Sequence, residues 1–126
     1  MRYLLDTTFA IDFLRGDAAA VGRFEAFFDS GDTPCVNEVV LCELATGSDP
    51  ANAAGLQAFV RAVEFVQPGA DAALRAGEWR SSARHRGSTI SVPDALIAAA
   101  ADALDAPVVT RNLRDFSAMP IRVEGY

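Results

Sequence analysis

Arg2-Tyr3-Leu4-Leu5-Asp6-Thr7-Thr8-Phe9-Ala10 opens with four residues suited to a short buried strand and passes at once into an acid, two hydroxyls and an apolar stretch. A side chain in Asp6-Thr7-Thr8 can accept the first free N–H groups of a helix carrying Phe9, Ala10, Phe13 and Leu14. Gly16 closes that helix. Strand, cap, helix is the opening of a parallel unit, and the rest of the chain repeats it. Asp17 is placed to cap a second helix, with Val21, Phe24, Phe27 and Phe28 at helical spacing before Gly31. Thr33-Pro34-Cys35-Val36 is a second strand, and Asn37 caps a helix from Glu38 to Thr46 that stops at Gly47.

After the loop Gly47-Ser48-Asp49-Pro50, an alanine-rich helix covers 51–62 and a third strand covers 63–66. Residues 70–85 return to helical spacing. Ser91-Val92-Pro93-Asp94 starts another helix, with serine as cap and proline inside the first turn, which runs to about Leu104. Residues 107–110 are a fourth strand, followed by a polar turn and a final edge strand at 121–123. This alternation predicts an α/β fold with a central parallel sheet of four to five strands and helices on both faces. No repeat or linker divides the 126 residues, a length that suits one domain, 1–126.

Composition narrows the function. No run of 18 residues lacks charge, so neither a membrane span nor a secretory leader is expected, and the expected compartment is the cytoplasm. Cys35 and Cys42 are too few for a zinc site or a disulfide framework and read as buried reduced thiols. All 11 basic residues are arginine. The lack of lysine excludes a P-loop, no G-x-G-x-x-G follows the first strand, and Thr8 stands where a phosphoaspartyl hydrolase would carry a second aspartate. The net charge of −6 argues against a nucleic-acid partner at first sight. A carboxylate site for divalent cations lowers the net charge by itself, however, and the bound ion reverses the local field.

Four acids fit such a site. Ligands of an open parallel sheet bind beyond the carboxyl ends of its strands, where Asp6 and Asp115 fall. Each alone also reads as a helix cap or turn residue. Glu43 shares a helical stripe with Val36, Val39 and Val40, which puts a carboxylate on the face meant for the core. Asp94 shares one with Ile97, Ala98 and Ala101, although Ser91-x-x-Asp94 equally matches a capping box. Unpaired carboxylates buried together would be costly and would take up protons, a cost that a divalent ion removes. Magnesium, with manganese as the substitute, prefers hard oxygen ligands and suits aspartate and glutamate without histidine. Such an ion activates water and neutralises charge on a phosphodiester under in-line attack.

With these residues in view, the chain resembles the PIN-domain family, and within it the VapC-like toxins of bacterial toxin–antitoxin pairs. Tyr3-Leu4-Leu5-Asp6-Thr7-Thr8 resembles the family's first strand and catalytic aspartate. Asn37-Glu38-Val39-Val40-Leu41-Cys42-Glu43-Leu44 is similar to the second motif, Pro93-Asp94-Ala95-Leu96-Ile97-Ala98-Ala99-Ala100 to the third, and Val109-Thr110-Arg111-Asn112-Leu113-Arg114-Asp115-Phe116 to the fourth. Four motifs in order across nearly the whole chain carry far more weight than any one. The resemblance implies a magnesium-dependent endoribonuclease leaving a 5′-phosphate, with Asp6, Glu43 and Asp94 as metal ligands and Asp115 completing the site directly or through a water. Some members place the fourth acid where this chain has Asn112. Thr7, Thr8, Thr110 and Asn112 are placed to orient ligands or water. The family also implies a VapB-like antitoxin and a homodimer.

The remaining charge is arginine. Arg84 and Arg86, beside the lone His85, and Arg111 and Arg114 in the fourth motif are candidates to hold RNA backbone. His85 reads as solvated and Trp79 as packed. The competing reading is a non-catalytic α/β protein-binding module, whose acids only cap helices and whose phenylalanine-rich N-terminal helices form a partner surface. Glu43 separates the two, because capping does not explain an acid at mid-helix on an apolar stripe.

Overall fold

The computed structural model describes residues 1–126. Strand β1 (Arg2–Leu5) buries Leu4 and Leu5 completely. Asp6 then caps α1 (Thr7–Leu14), its carboxylate accepting the Phe9 N–H at 2.9 Å. The chain leaves α1 through Gly16 at φ +78°, a left-handed conformation that other residues adopt only with strain. Asp17 caps α2 (Ala18–Asp29) through the Ala20 N–H, and β2 (Thr33–Val36) leads to α3 (Glu38–Thr46) with Asn37 as cap. There follow α4 (Ala53–Ala62), β3 (Glu64–Phe65), α5 (Ala70–His85), α6 (Val92–Ala103) capped by Ser91, β4 (Val108–Val109), α7 (Leu113–Phe116) and β5 (Val123–Glu124).

All strand pairings are parallel, in the order β3-β2-β1-β4-β5. The chain therefore steps outward from β1 to β3, then returns to the far side of β1 for β4 and β5. Parallel crossovers are right-handed, so this reversal puts the earlier helices on one face and the later ones on the other. The reversal point lies between β1 and β4, where Leu4 pairs with Val108 and Leu5 with Val109. Connections leave these two strands in opposite directions, which opens a crevice beyond their carboxyl ends.

The core fixes the helices around that crevice. Ala95 and Ala98 to Ala101 of α6 are buried, and side chains this small let α5 and the sheet approach closely. On the other face the Phe13 ring lies 4.2 Å from Phe24 and 5.7 Å from Phe59. In α1 and α2, Phe9, Phe24 and Phe27 are buried, Phe13 packs against the core and Phe28 alone is half exposed, so the phenylalanines of these two helices build the core rather than a partner surface.

Several boundaries differ from the expectation. Helix α4 starts at Ala53 rather than 51 because the Asp49 and Asn52 side chains close a turn on the backbone ahead of it. The polar stretch after β4 holds a short helix, α7, anchored by the fully buried Phe116. Strand β5 begins at Val123 rather than 121, since the Ile121 N–H bonds back to the Met119 carbonyl in a tight turn. Cys35 is buried as expected, but Cys42 is exposed, because α3 turns Val40 and Leu44 inward and Cys42 two positions from each faces away.

Candidate active site

Asp6 leaves the end of β1 at the crevice and is 2% exposed. Three donors hold its carboxylate: the Phe9 N–H, the Thr8 hydroxyl at 2.9 and 2.8 Å from its two oxygens, and the Thr110 hydroxyl at 2.5 Å. Thr110 lies past the end of β4 and is fully buried, so this bond ties together the two strands that flank the reversal. Burial raises the Asp6 carboxyl above its ordinary range, while the Thr110, Phe9 and Thr8 bonds and the Arg111 charge pull it back. A carboxylate offers about four lone-pair sites, so three donors leave one free.

Asp94 sits half-buried in the first turn of α6. Burial raises its carboxyl most; the Ser91 hydroxyl works against this, and repulsion from Asp115, Asp6 and Glu43 adds to it. Three acids from three other segments are thus within electrostatic reach of Asp94. Ser91 accepts the Asp94 N–H at 3.2 Å, but the carboxylate makes no return bond to the Ser91 backbone, so the capping box is only half built and the acid stays available.

Glu43 departs from its expected place: it is exposed rather than packed in the core. The inward positions of α3 are Val40 and Leu44, and Glu43 lies one position round, facing α1. The Thr7 hydroxyl donates to it at 2.6 Å, which ties it to the first turn of α1, next to Asp6 in the chain. An acid at mid-helix is unremarkable once exposed, so it is the Thr7 contact and the repulsion on Asp94 that tie Glu43 to the site. Asp115 is exposed on α7 and is the strongest of the three charges acting on Asp94. Asn112 contributes its backbone rather than its amide, donating its N–H to the Thr110 hydroxyl at 2.8 Å.

Of the four candidate arginines, Arg111 is the one whose charge reaches Asp6. Arg84, Arg86 and Arg114 are exposed and form no ion pair; Arg86 donates to the Ser82 hydroxyl at 3.0 Å. His85 is exposed with Nδ1 2.8 Å from the Ser81 carbonyl, and Trp79 packs against the core. Two groups escaped the sequence reading. Buried Asn37, taken only as a cap, also donates to the Leu96 carbonyl at 3.3 Å and so fastens the start of α3 to the helix carrying Asp94. Asp12, 6% exposed, holds Arg111 and accepts the Tyr126 hydroxyl at 2.6 Å. Its signal was a lone charge within the otherwise apolar run Phe9 to Leu14.

No three of the acids close into a ready-made cage. Magnesium does not require one, since it commonly takes one or two carboxylates and completes its shell with water and phosphate oxygens. An all-oxygen donor set, crowded enough to repel itself and with a free position on Asp6, fits such an ion.

The fold and these acids define a class: the chain belongs to the PIN-domain family, whose model matches residues 3–121. It is 38% identical over 121 residues to the Mycobacterium tuberculosis protein named Ribonuclease VapC19, covering 93% of this chain and 94% of that one. It is 26% identical to the tRNA(fMet)-specific endonuclease VapC of Salmonella typhimurium, covering 100% and 98%. Among solved structures it superposes on VapBC2 of Rickettsia felis bound to a promoter DNA fragment with TM-score 0.89, at 26% identity and covering 100% of this chain and 99% of that one. DNA-bound VapBC of Salmonella typhimurium gives TM-score 0.87 at 27% identity, covering 99% and 98%.

Proposed function

We propose that this PIN domain is the toxin of a toxin–antitoxin pair, a magnesium-dependent endoribonuclease acting in the cytoplasm. What supports the reading is the position of Asp6 at the end of β1 beside the β1–β4 reversal, together with Asp94 in the first turn of α6, which feels the charges of Asp115, Asp6 and Glu43. The names of the relatives supply the substrate class, RNA, and the VapBC neighbours supply the partner class, a VapB-like antitoxin.

Asp6, Glu43 and Asp94 would hold the ion, and Asp115 would complete the site directly or through a water. Magnesium, when bound, supplies Lewis acidity that activates water and neutralises phosphate charge during in-line attack, leaving a 5′-phosphate. The surrounding residues do the positioning. Thr8 and Thr110 fix the Asp6 carboxylate, and Thr7 fixes Glu43. Arg111, together with Arg84, Arg86 and Arg114, would offset the repulsion between an acidic site and an RNA strand.

The test is cleavage of RNA by antitoxin-free protein with and without a divalent ion. Wild type should cut only with the ion, and Asp6→Ala or Asp94→Ala should lose cleavage by orders of magnitude while remaining folded by circular dichroism. Equal cleavage by Asp94→Ala and wild type, in preparations free of contaminating ribonuclease, would refute the mechanism.

A further inference from the structure

Arg111 is held unusually for a surface arginine. Its Nη1 lies 3.0 and 2.9 Å from the two oxygens of Asp12, while Nε and Nη2 have no protein partner and the side chain is 61% exposed. Asp12 is itself buried and fixed from the other side by the Tyr126 hydroxyl at 2.6 Å. The Tyr126 ring packs edge-on against Phe9 with centroids 4.8 Å apart, and the Phe9 N–H is the one that binds Asp6. The backbone of Arg111 follows Thr110, whose hydroxyl is also on Asp6. Guanidinium, buried acid and phenol thus form a chain built directly against the first acid of the site.

The arrangement has a chemical use. An acidic cluster repels a phosphodiester, so a strand entering it needs a fixed cation beside the acids. A guanidinium bound by one nitrogen keeps its other two N–H-bearing nitrogens as a planar fork suited to phosphate oxygens. Holding that fork in advance removes the side-chain ordering that a free arginine would suffer on binding.

We infer that Asp12 and Tyr126 are positioning residues that hold Arg111 by Nη1 so that Nε and Nη2 meet a phosphate of the RNA strand entering the site. The inference rests on the ribonuclease reading for its substrate. Neither residue touches the strand; both act through Arg111.

The experiment measures kcat, KM and their salt dependence on a single-stranded RNA oligonucleotide. It also measures binding of the same oligonucleotide by fluorescence anisotropy in the Asp94→Ala background, where the strand stays intact. Arg111→Ala should weaken binding about tenfold and lower the salt slope by roughly 0.7, the value for one phosphate contact on a single strand. Tyr126→Phe removes one hydroxyl and should raise KM and Kd about 3- to 10-fold with kcat within twofold. Asp12→Asn should act in the same direction. The deciding comparison is the double variant: Arg111→Ala/Tyr126→Phe should bind no worse than Arg111→Ala, because Tyr126 has nothing left to position. A Tyr126→Phe effect that persists undiminished without Arg111, or no effect in the wild-type background, would overturn the inference. A wild type that never cleaves RNA while the binding differences persist would instead overturn the nuclease reading and leave the phosphate contact standing.

Discussion

Replacing Thr110 by valine keeps the shape of a fully buried side chain and deletes the one hydroxyl that joins the ends of β1 and β4. Two hydrogen bonds are lost. The first, to the Asp6 carboxylate, is a bond to a charged group in a site with almost no access to water, worth about 1.5–3 kcal/mol. The second, from the Asn112 N–H, sits at an exposed residue where water can replace the hydroxyl, so its loss should stay near the lower end of about 0.5–1 kcal/mol. The sum is about 2–4 kcal/mol. The cost has a ceiling, because Thr110 is the largest of the influences that pull the Asp6 carboxyl down, and without it Asp6 can relieve its burial by taking a proton. Thr110→Ser is the control: it keeps the hydroxyl, drops a methyl and should cost about 1 kcal/mol. Urea unfolding at pH 7 in EDTA, with unchanged m-values, reads both. The reasoning fails if Thr110→Val lies within about 0.5 kcal/mol of wild type, or if Thr110→Ser is the more damaging change, since packing rather than the hydroxyl would then hold the site.

Without divalent ions, Asp94→Asn should be more stable than wild type at pH 7. The folded-state carboxyl is raised, so folding disfavours its ionised form; the gain should be full above the folded-state pKa, shrink as pH falls through it, and vanish below the ordinary carboxylate value, where residue 94 is uncharged in both proteins, folded or unfolded. Saturating magnesium should invert the order, with wild type gaining about 2.7 kcal/mol at a hundredfold excess over Kd and the variant less, and melting curves in EDTA and in magnesium would expose a failure of either half. Arg84→Ala with Arg86→Ala should lower the salt slope of RNA binding by up to about 1.4 for two single-strand contacts and leave kcat unchanged; an unaltered slope would mean the pair never touches the strand.

Much of this fold was legible because capping chemistry is local. Asp6, Asp17, Asn37 and Ser91 each announce the helix that follows, and each accepts the backbone N–H expected of it. The place of Asp6 was legible too, since an aspartate directly after a strand of a parallel sheet lies at its carboxyl end. What the sequence could not decide was anything set by rotation or by long-range contact. Whether Glu43 points inward depends on how α3 is turned against α1, and one residue moves a helical side chain by about 100°. The stripe pointed it into the core, while packing of Val40 and Leu44 turned it outward to Thr7. Asn112 was placed among the groups that orient ligands or water with no atom singled out, and its position after Thr110 makes its backbone N–H the group that bonds the Thr110 hydroxyl. Asp12, Arg111 and Tyr126 lie 99 and 114 residues apart in their hydrogen bonds, and no local pattern encodes that meeting. Periodicity and capping determined which elements form and where the acids enter; tertiary packing alone decided which side chains face one another, because those contacts arise only after the chain has reversed across β1.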